Sequence, residues 1–85
     1  MKTEFSKHAL EQMNRRDIEA KLVEFIVENA DNIIDQEDTI KIYSKLVIEN
    51  SKTYLYRVFI FCLKNPALIV TVYKTSKTDK YANKI

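Results

Sequence analysis

Eighty-five residues, 46% apolar and 31% charged, describe one globular domain with just enough chain to bury a core of its own. The absence of glycine excludes Gly-rich phosphate loops and dinucleotide fingerprints, and one histidine with one cysteine excludes the usual zinc constellations and any internal disulfide. The formal net charge of +2 hides a division, because residues 1–38 carry five Lys/Arg against ten Asp/Glu while residues 39–85 carry nine against two.

The opening residues have no apolar signal region, and Val58–Leu63, the longest wholly apolar run, is far too short to span a membrane. A cytoplasmic setting is the expectation. Phe5, Ala9 and Met13, with Leu10 alongside, mark one side of a first helix for which Ser6 is a suitable N-cap. His8, Gln12 and Arg15 flank that stripe. Asp17 is placed to cap a second helix over residues 18–29, where Ile18, Leu22, Phe25, Ile26 and Ala30 recur at spacings of three and four. Ile33-Ile34-Asp35 reads as a short strand or a last turn of helix, and Gln36-Glu37-Asp38 as a turn.

Residues 39–49 alternate, with Ile40, Ile42, Leu46 and Ile48 on one side and Lys41, Tyr43, Lys45 and Val47 on the other. Asn50-Ser51-Lys52 closes a hairpin, Asn50 being well suited to positive φ in a chain without glycine. Residues 54–63 are apolar on both alternating faces, which is the pattern of a central strand covered on two sides. Arg57 stands in the middle of it. An unpaired buried guanidinium is very costly, so Arg57 requires an acidic partner or a cleft that receives an anion. Cys62 in the same run is a core filler. Pro66 sits at the first central position of a second turn, and residues 68–74 form the last strand, with Val70 and Val72 on one face and Ile69, Thr71 and Tyr73 on the other. The architecture expected is α+β, two N-terminal helices packed on a three- to four-stranded antiparallel sheet. Residues 1–32 form the helical part, 33–75 the sheet and 76–85 a basic tail. The second sheet face should be partly open, displaying lysines, tyrosines and Arg57.

The basic half with its interleaved tyrosines suits a nucleic-acid backbone, and equally a solvated face that keeps a small domain soluble. His8 is the side chain whose unperturbed pKa, about 6.5, allows proton shuttling near neutrality, although a histidine at a helix start also serves structure. Thr71, Tyr73, Lys74, Thr75, Ser76 and Lys77 crowd hydroxyl and ammonium groups at the end of the last strand, a run able to hold phosphate oxygens, although polar strand ends are common. Together these residues supply what RNA cleavage by 2′-hydroxyl attack needs, with His8 or Tyr73 moving protons and Arg57 with a lysine stabilising the phosphorane.

The run Ser6-Lys7-His8-Ala9-Leu10-Glu11-Gln12-Met13-Asn14-Arg15-Arg16-Asp17-Ile18 resembles the opening of a bacterial uncharacterised-domain family in which a His-Ala pair precedes Met and then Arg-x-Ile. Tyr56-Arg57-Val58 and Val70-Thr71-Val72-Tyr73-Lys74-Thr75-Ser76-Lys77 resemble its arginine strand and closing strand. That family is grouped with the RelE/BrnT-like toxins of the barnase–colicin–RelE ribonuclease fold. The resemblance implies a small endoribonuclease toxin of a toxin–antitoxin or related conflict system, acting on RNA without metal or other cofactor. It places functional positions at His8, Arg16, Arg57, Thr71 and Tyr73, with Lys41, Lys45, Lys74 and Lys77 tracking RNA and an antitoxin as protein partner. Gln12 stands where the family often has arginine, and Asp17 where it often has glycine. The lost cation favours a second reading, a catalytically inactive RNA- or protein-binding regulator on the same fold.

Overall fold

The computed structural model describes residues 1–78; most of the tail assigned to 76–85 therefore lies outside the described residues. In chain order the elements are β1 (Thr3–Phe5), α1 (Lys7–Arg16), α2 (Ala20–Glu28), β2 (Asn32–Glu37), β3 (Ile40–Glu49), β4 (Lys52–Phe61) and β5 (Ala67–Thr75). One five-stranded sheet runs β1-β5-β4-β3-β2. The meander from β2 to β5 is antiparallel, but β1 pairs with β5 in parallel through Thr3–Ala67, Glu4–Leu68 and Phe5–Ile69. The sheet is thus mixed, with a strand ahead of the first helix, which corrects the expected three- to four-stranded antiparallel layout. The α+β class holds. Among the described residues no helix is long and apolar enough to cross a membrane.

Phe5 is the residue that hides β1. It lies four before Ala9 and eight before Met13, so it fits the helical stripe, yet the helix begins only after Ser6. The Ser6 hydroxyl accepts the Ala9 N–H at 3.0 Å, capping α1 as its residue type suggests. Asp17 does not cap the second helix. It ends the first in the left-handed region, at φ 55°, with its N–H bonded to the last-turn carbonyls. Replacing Asp17 with glycine should remove both the left-handed backbone cost and a carboxylate at the negative end of the helix dipole. We expect Asp17→Gly to stabilise the fold by about 0.5–1 kcal/mol in chemical denaturation, after the entropy cost of glycine.

The second helix starts later than its pattern suggests and is turned. Val23, Ile26 and Val27 are its buried residues, while Phe25 is half exposed. The core lies between the helices and one sheet face, joining Ala9, Met13, Val23 and Ile26 to Tyr56, Val58, Ile60, Ile69 and Val72. Each fully buried isoleucine contributes about 1.5–3 kcal/mol by removal from water.

Two local features set the faces. Asn50 and Ser51 both take positive φ, 52° and 67°, between the paired Glu49 and Lys52, giving a two-residue hairpin turn whose twist matches the strands. A bulge in β5 places Val70 as an extra residue, since Phe59 opposes Thr71 while Ile60 opposes Ile69. Ile69 and Val72 consequently share the core face, although two-residue alternation puts them on opposite sides. The face turned away from the helices also differs from expectation. It carries Ile42, Leu46, Ile48, Leu55 and Phe59 around Arg57, whereas Lys41, Lys45, Tyr43 and Tyr56 belong to the helix-side face. Two short helices cover only part of five strands, so long lysines at the margin of that face still reach water.

Candidate nucleic-acid interface

Helix α1 rests on β5 and along its outer edge, and Gln12 fixes it there. Beyond Phe5 the short β1 no longer pairs with β5, so the outward N–H of Val72 needs another acceptor. The Gln12 side-chain oxygen provides it at 2.9 Å. One and two turns of helix bring His8, Gln12 and Arg15 to the same side of α1. Where the helix ends against the strand, Gln12, Arg15, Arg16, Val72, Tyr73 and Lys74 line a cleft of about 170 Å³. Two arginines and one lysine are among its lining residues. Arg15 and Arg16 also offset the negative end of the α1 dipole, which would otherwise repel an anion at this end.

Lys74 is held from below. Its Nζ donates to Glu49 Oε1 at 2.7 Å and lies 4.3 Å from the centroid of the Tyr54 ring and 5.5 Å from that of Tyr56. The buried Tyr56 hydroxyl donates to the other oxygen of Glu49 at 2.5 Å. The two donors, Lys74 first, hold the Glu49 carboxyl below the usual carboxylate range. Burial pushes the Tyr56 phenol up, with help from Glu49, to about 12. Burial pulls the Lys74 ammonium down, but the hydrogen bonds to Glu49 and Tyr56 outweigh it and raise it.

Arg57 lies on the other face of β4, half-buried, with its guanidinium carbon 5.5 Å from the Phe59 ring centroid. Its cross-strand neighbours are Ser44 and Tyr73, and Thr71 opposes Phe59 two positions along. Tyr73, 38% exposed, is the residue shared between the cleft and this cluster. The structure therefore brings Arg16, Tyr73 and Lys74 together, and sets Arg57 and Thr71 beside Tyr73. His8 is exposed on the first turn of α1 and is not among the residues lining the cleft. Lys77 is exposed just past β5, with its N–H on Thr75 Oγ1 at 3.1 Å.

Lys41 and Lys45 are elsewhere. Lys41 is 3.9 Å from Asp35, and Lys45 is 3.3 Å from Asp31 and 5.9 Å from the Phe25 centroid. Asp31 is held below its ordinary value chiefly by the Leu46 N–H, against a smaller opposing effect of burial, with Lys45 adding to the lowering. The acidic first half of the chain thus folds against lysines of the basic second half, and the charge division seen in the sequence is partly neutralised on folding. Exposed pairs of this kind each contribute little to stability. The Glu49–Tyr56–Lys74 clamp was not foreseen. Alternation alone puts Glu49 on the Tyr54 and Tyr56 side, but Lys74 joins them only through the β4–β5 register.

Among the described residues no group of three His, Cys, Asp or Glu side chains is arranged to hold a metal ion. No curated protein and no solved structure matches the chain. A family model described as "Domain of unknown function (DUF4258)" matches residues 5–74. That span runs from the last residue of β1 to Lys74 and includes every residue lining the cleft, so the chain belongs to the DUF4258 family.

Proposed function

We propose that the protein is a small endoribonuclease that binds RNA at the α1–β5 cleft and cleaves it by 2′-hydroxyl attack, as a toxin of a toxin–antitoxin or related conflict system. The observation that carries this reading is that Arg15, Arg16, Tyr73 and Lys74 line one cleft. Guanidinium forks match phosphate oxygens, and the ammonium adds a point charge beside them. At about 170 Å³ the cleft has room for a phosphate and part of its sugar within a strand running along the molecule. Tyr73 is the proton-transfer group nearest that phosphate, with Arg57 and Thr71 on its far side. His8 reaches the strand only from the first turn of α1. A likeness of this family to the RelE/BrnT-like toxins supports the same reading and suggests an antitoxin partner.

One observation favours the second reading, an inactive RNA- or protein-binding regulator. Gln12 occupies a position where cleavage would profit from a cation, and its side chain is committed to the backbone of Val72. The two readings separate on one measurement. Purified chain with single-stranded RNA and EDTA should yield fragments ending in 2′,3′-cyclic phosphate, while DNA of the same sequence stays whole. RNA that is bound but uncut across a range of salt would rule out the nuclease and leave the regulator. Loss of cleavage in EDTA that magnesium restores would rule out the metal-independent chemistry.

A further inference from the structure

A second cleft opens at the far end of the helix-side face, six residues or about 20 Å back along β5. Its volume is about 410 Å³, within the range of small-molecule sites, and it shares no residue with the α1–β5 cleft. Exposed Lys2, Lys41, Lys64 and Asn65 form the rim, and Tyr43 and Cys62 the floor. Tyr43 is 6% exposed, and its hydroxyl makes no hydrogen bond among the described residues. No side-chain oxygen or nitrogen there is both sealed from solvent and unpartnered, so this hydroxyl opens on the cleft. A phenol whose ring is buried this far while its hydroxyl stays open to the cleft holds that hydroxyl at a fixed place, where a ligand oxygen can accept from it. The Tyr43 phenol is pushed up by burial first and then by Cys62, Asp35 and Glu28, so it remains a donor throughout the neutral range.

We propose that this cleft is a second binding site, taking a phosphomonoester of about nucleotide size. Three ammonium groups answer the near-double charge of the phosphate, and the Tyr43 hydroxyl donates to one of its oxygens. Two of the three lysines have an acidic partner at the surface. Asp35 is 3.9 Å from Lys41 and Glu4 is 3.4 Å from Lys64, both pairs at the surface and open to exchange for a ligand, and Glu28 is engaged by the chain's amino terminus at 2.9 Å. A carboxylate ligand would use one charge and two oxygens, leaving part of this donor set idle.

Cys62, the single cysteine of the chain, lies in the cleft and reports on its occupancy. The rate of Cys62 alkylation by iodoacetamide is measured against inorganic phosphate, adenosine 5′-monophosphate and chloride at matched ionic strength. The nucleotide should slow alkylation saturably, and at lower concentration than inorganic phosphate does. Tyr43→Phe, which keeps the buried ring, should raise the protecting concentration about tenfold. Lys41→Ala combined with Lys64→Ala should abolish protection, and Arg16→Ala should not change it. Protection no greater than chloride gives, or protection indifferent to both the Tyr43 and the lysine variants, would overturn the proposal. Either result leaves RNA binding at the α1–β5 cleft untouched.

Discussion

Arg16→Ala is expected to fold as the parent does and to lose about a hundredfold or more in the rate of RNA cleavage. Arg16 is exposed in the last turn of α1, so its contribution to stability is confined to the helix dipole, about 0.3–1 kcal/mol. Under the proposed function its contribution to the reaction is of another order. A donor aimed at the phosphorane acts on charge that develops in the transition state, and water cannot replace it at the same geometry. Arg16→Lys should recover only part of the rate, because an ammonium lacks the planar fork. Binding should show the same assignment through salt. Losing one phosphate contact reduces the slope of log affinity against log salt by about 0.7 for a single strand. Lys41→Ala serves as the contrast, since Lys41 is near Asp35 at 3.9 Å and borders other clefts. Single-turnover cleavage and a salt series of binding measurements check both. Equal losses in Arg16→Ala and Lys41→Ala would mean that general positive charge, and not the α1–β5 cleft, engages the RNA.

The parts of this molecule legible from residues alone are those decided by local chemistry. Ser6 caps α1 because a hydroxyl before a helix meets its free N–H groups wherever the helix packs. Asn50 takes positive φ because no glycine is at hand and asparagine tolerates that region. The central position of β4 follows from its two apolar faces. What was hidden depends on residues distant in sequence. A three-residue parallel strand such as β1 has no period to read, and the one-residue bulge at Val70 inverts the faces of β5 without any local mark. The candidate site divides along the same line. Arg16, Arg57 and Tyr73 stand out by type, but Gln12 reads as a missing cation until β5 is laid beside α1 and its amide meets Val72. Lys41 and Lys45 also stand out by type, but their ion-pair partners, Asp35 and Asp31 on the preceding strand and loop, are visible only once the chain is folded.

The second large effect tests the support beneath the cleft. Glu49→Gln keeps the shape of the side chain but removes the charge that Lys74 and Tyr56 both address. Lys74 would then rest half-buried between two tyrosine rings without a counter-ion, and the loss should be about 1.5–3 kcal/mol at neutral pH. For a domain this small that is a substantial part of a total of roughly 5–10 kcal/mol. The pH dependence has a definite sign. Glu49 titrates below its unfolded value, near 4.3, so its share of stability is complete above that value and is lost as pH falls through the lower folded one. Tyr56, pushed up to about 12, and Lys74, also raised, behave in the opposite sense. Their shares are complete below about pH 10 and are lost as pH rises through the folded values. The parent should therefore lose stability on both limbs through this one cluster. In Glu49→Gln the acid component disappears and the alkaline one shrinks towards what burial imposes on Tyr56, since burial lowers Lys74 and opposes its share, giving a lower but flatter curve. Urea denaturation at a series of pH values measures it directly. A variant curve running parallel to the parent across the whole range would show that Glu49 does not organise Lys74 and Tyr56, and that the ammonium beside the α1–β5 cleft is positioned by the tyrosine rings alone.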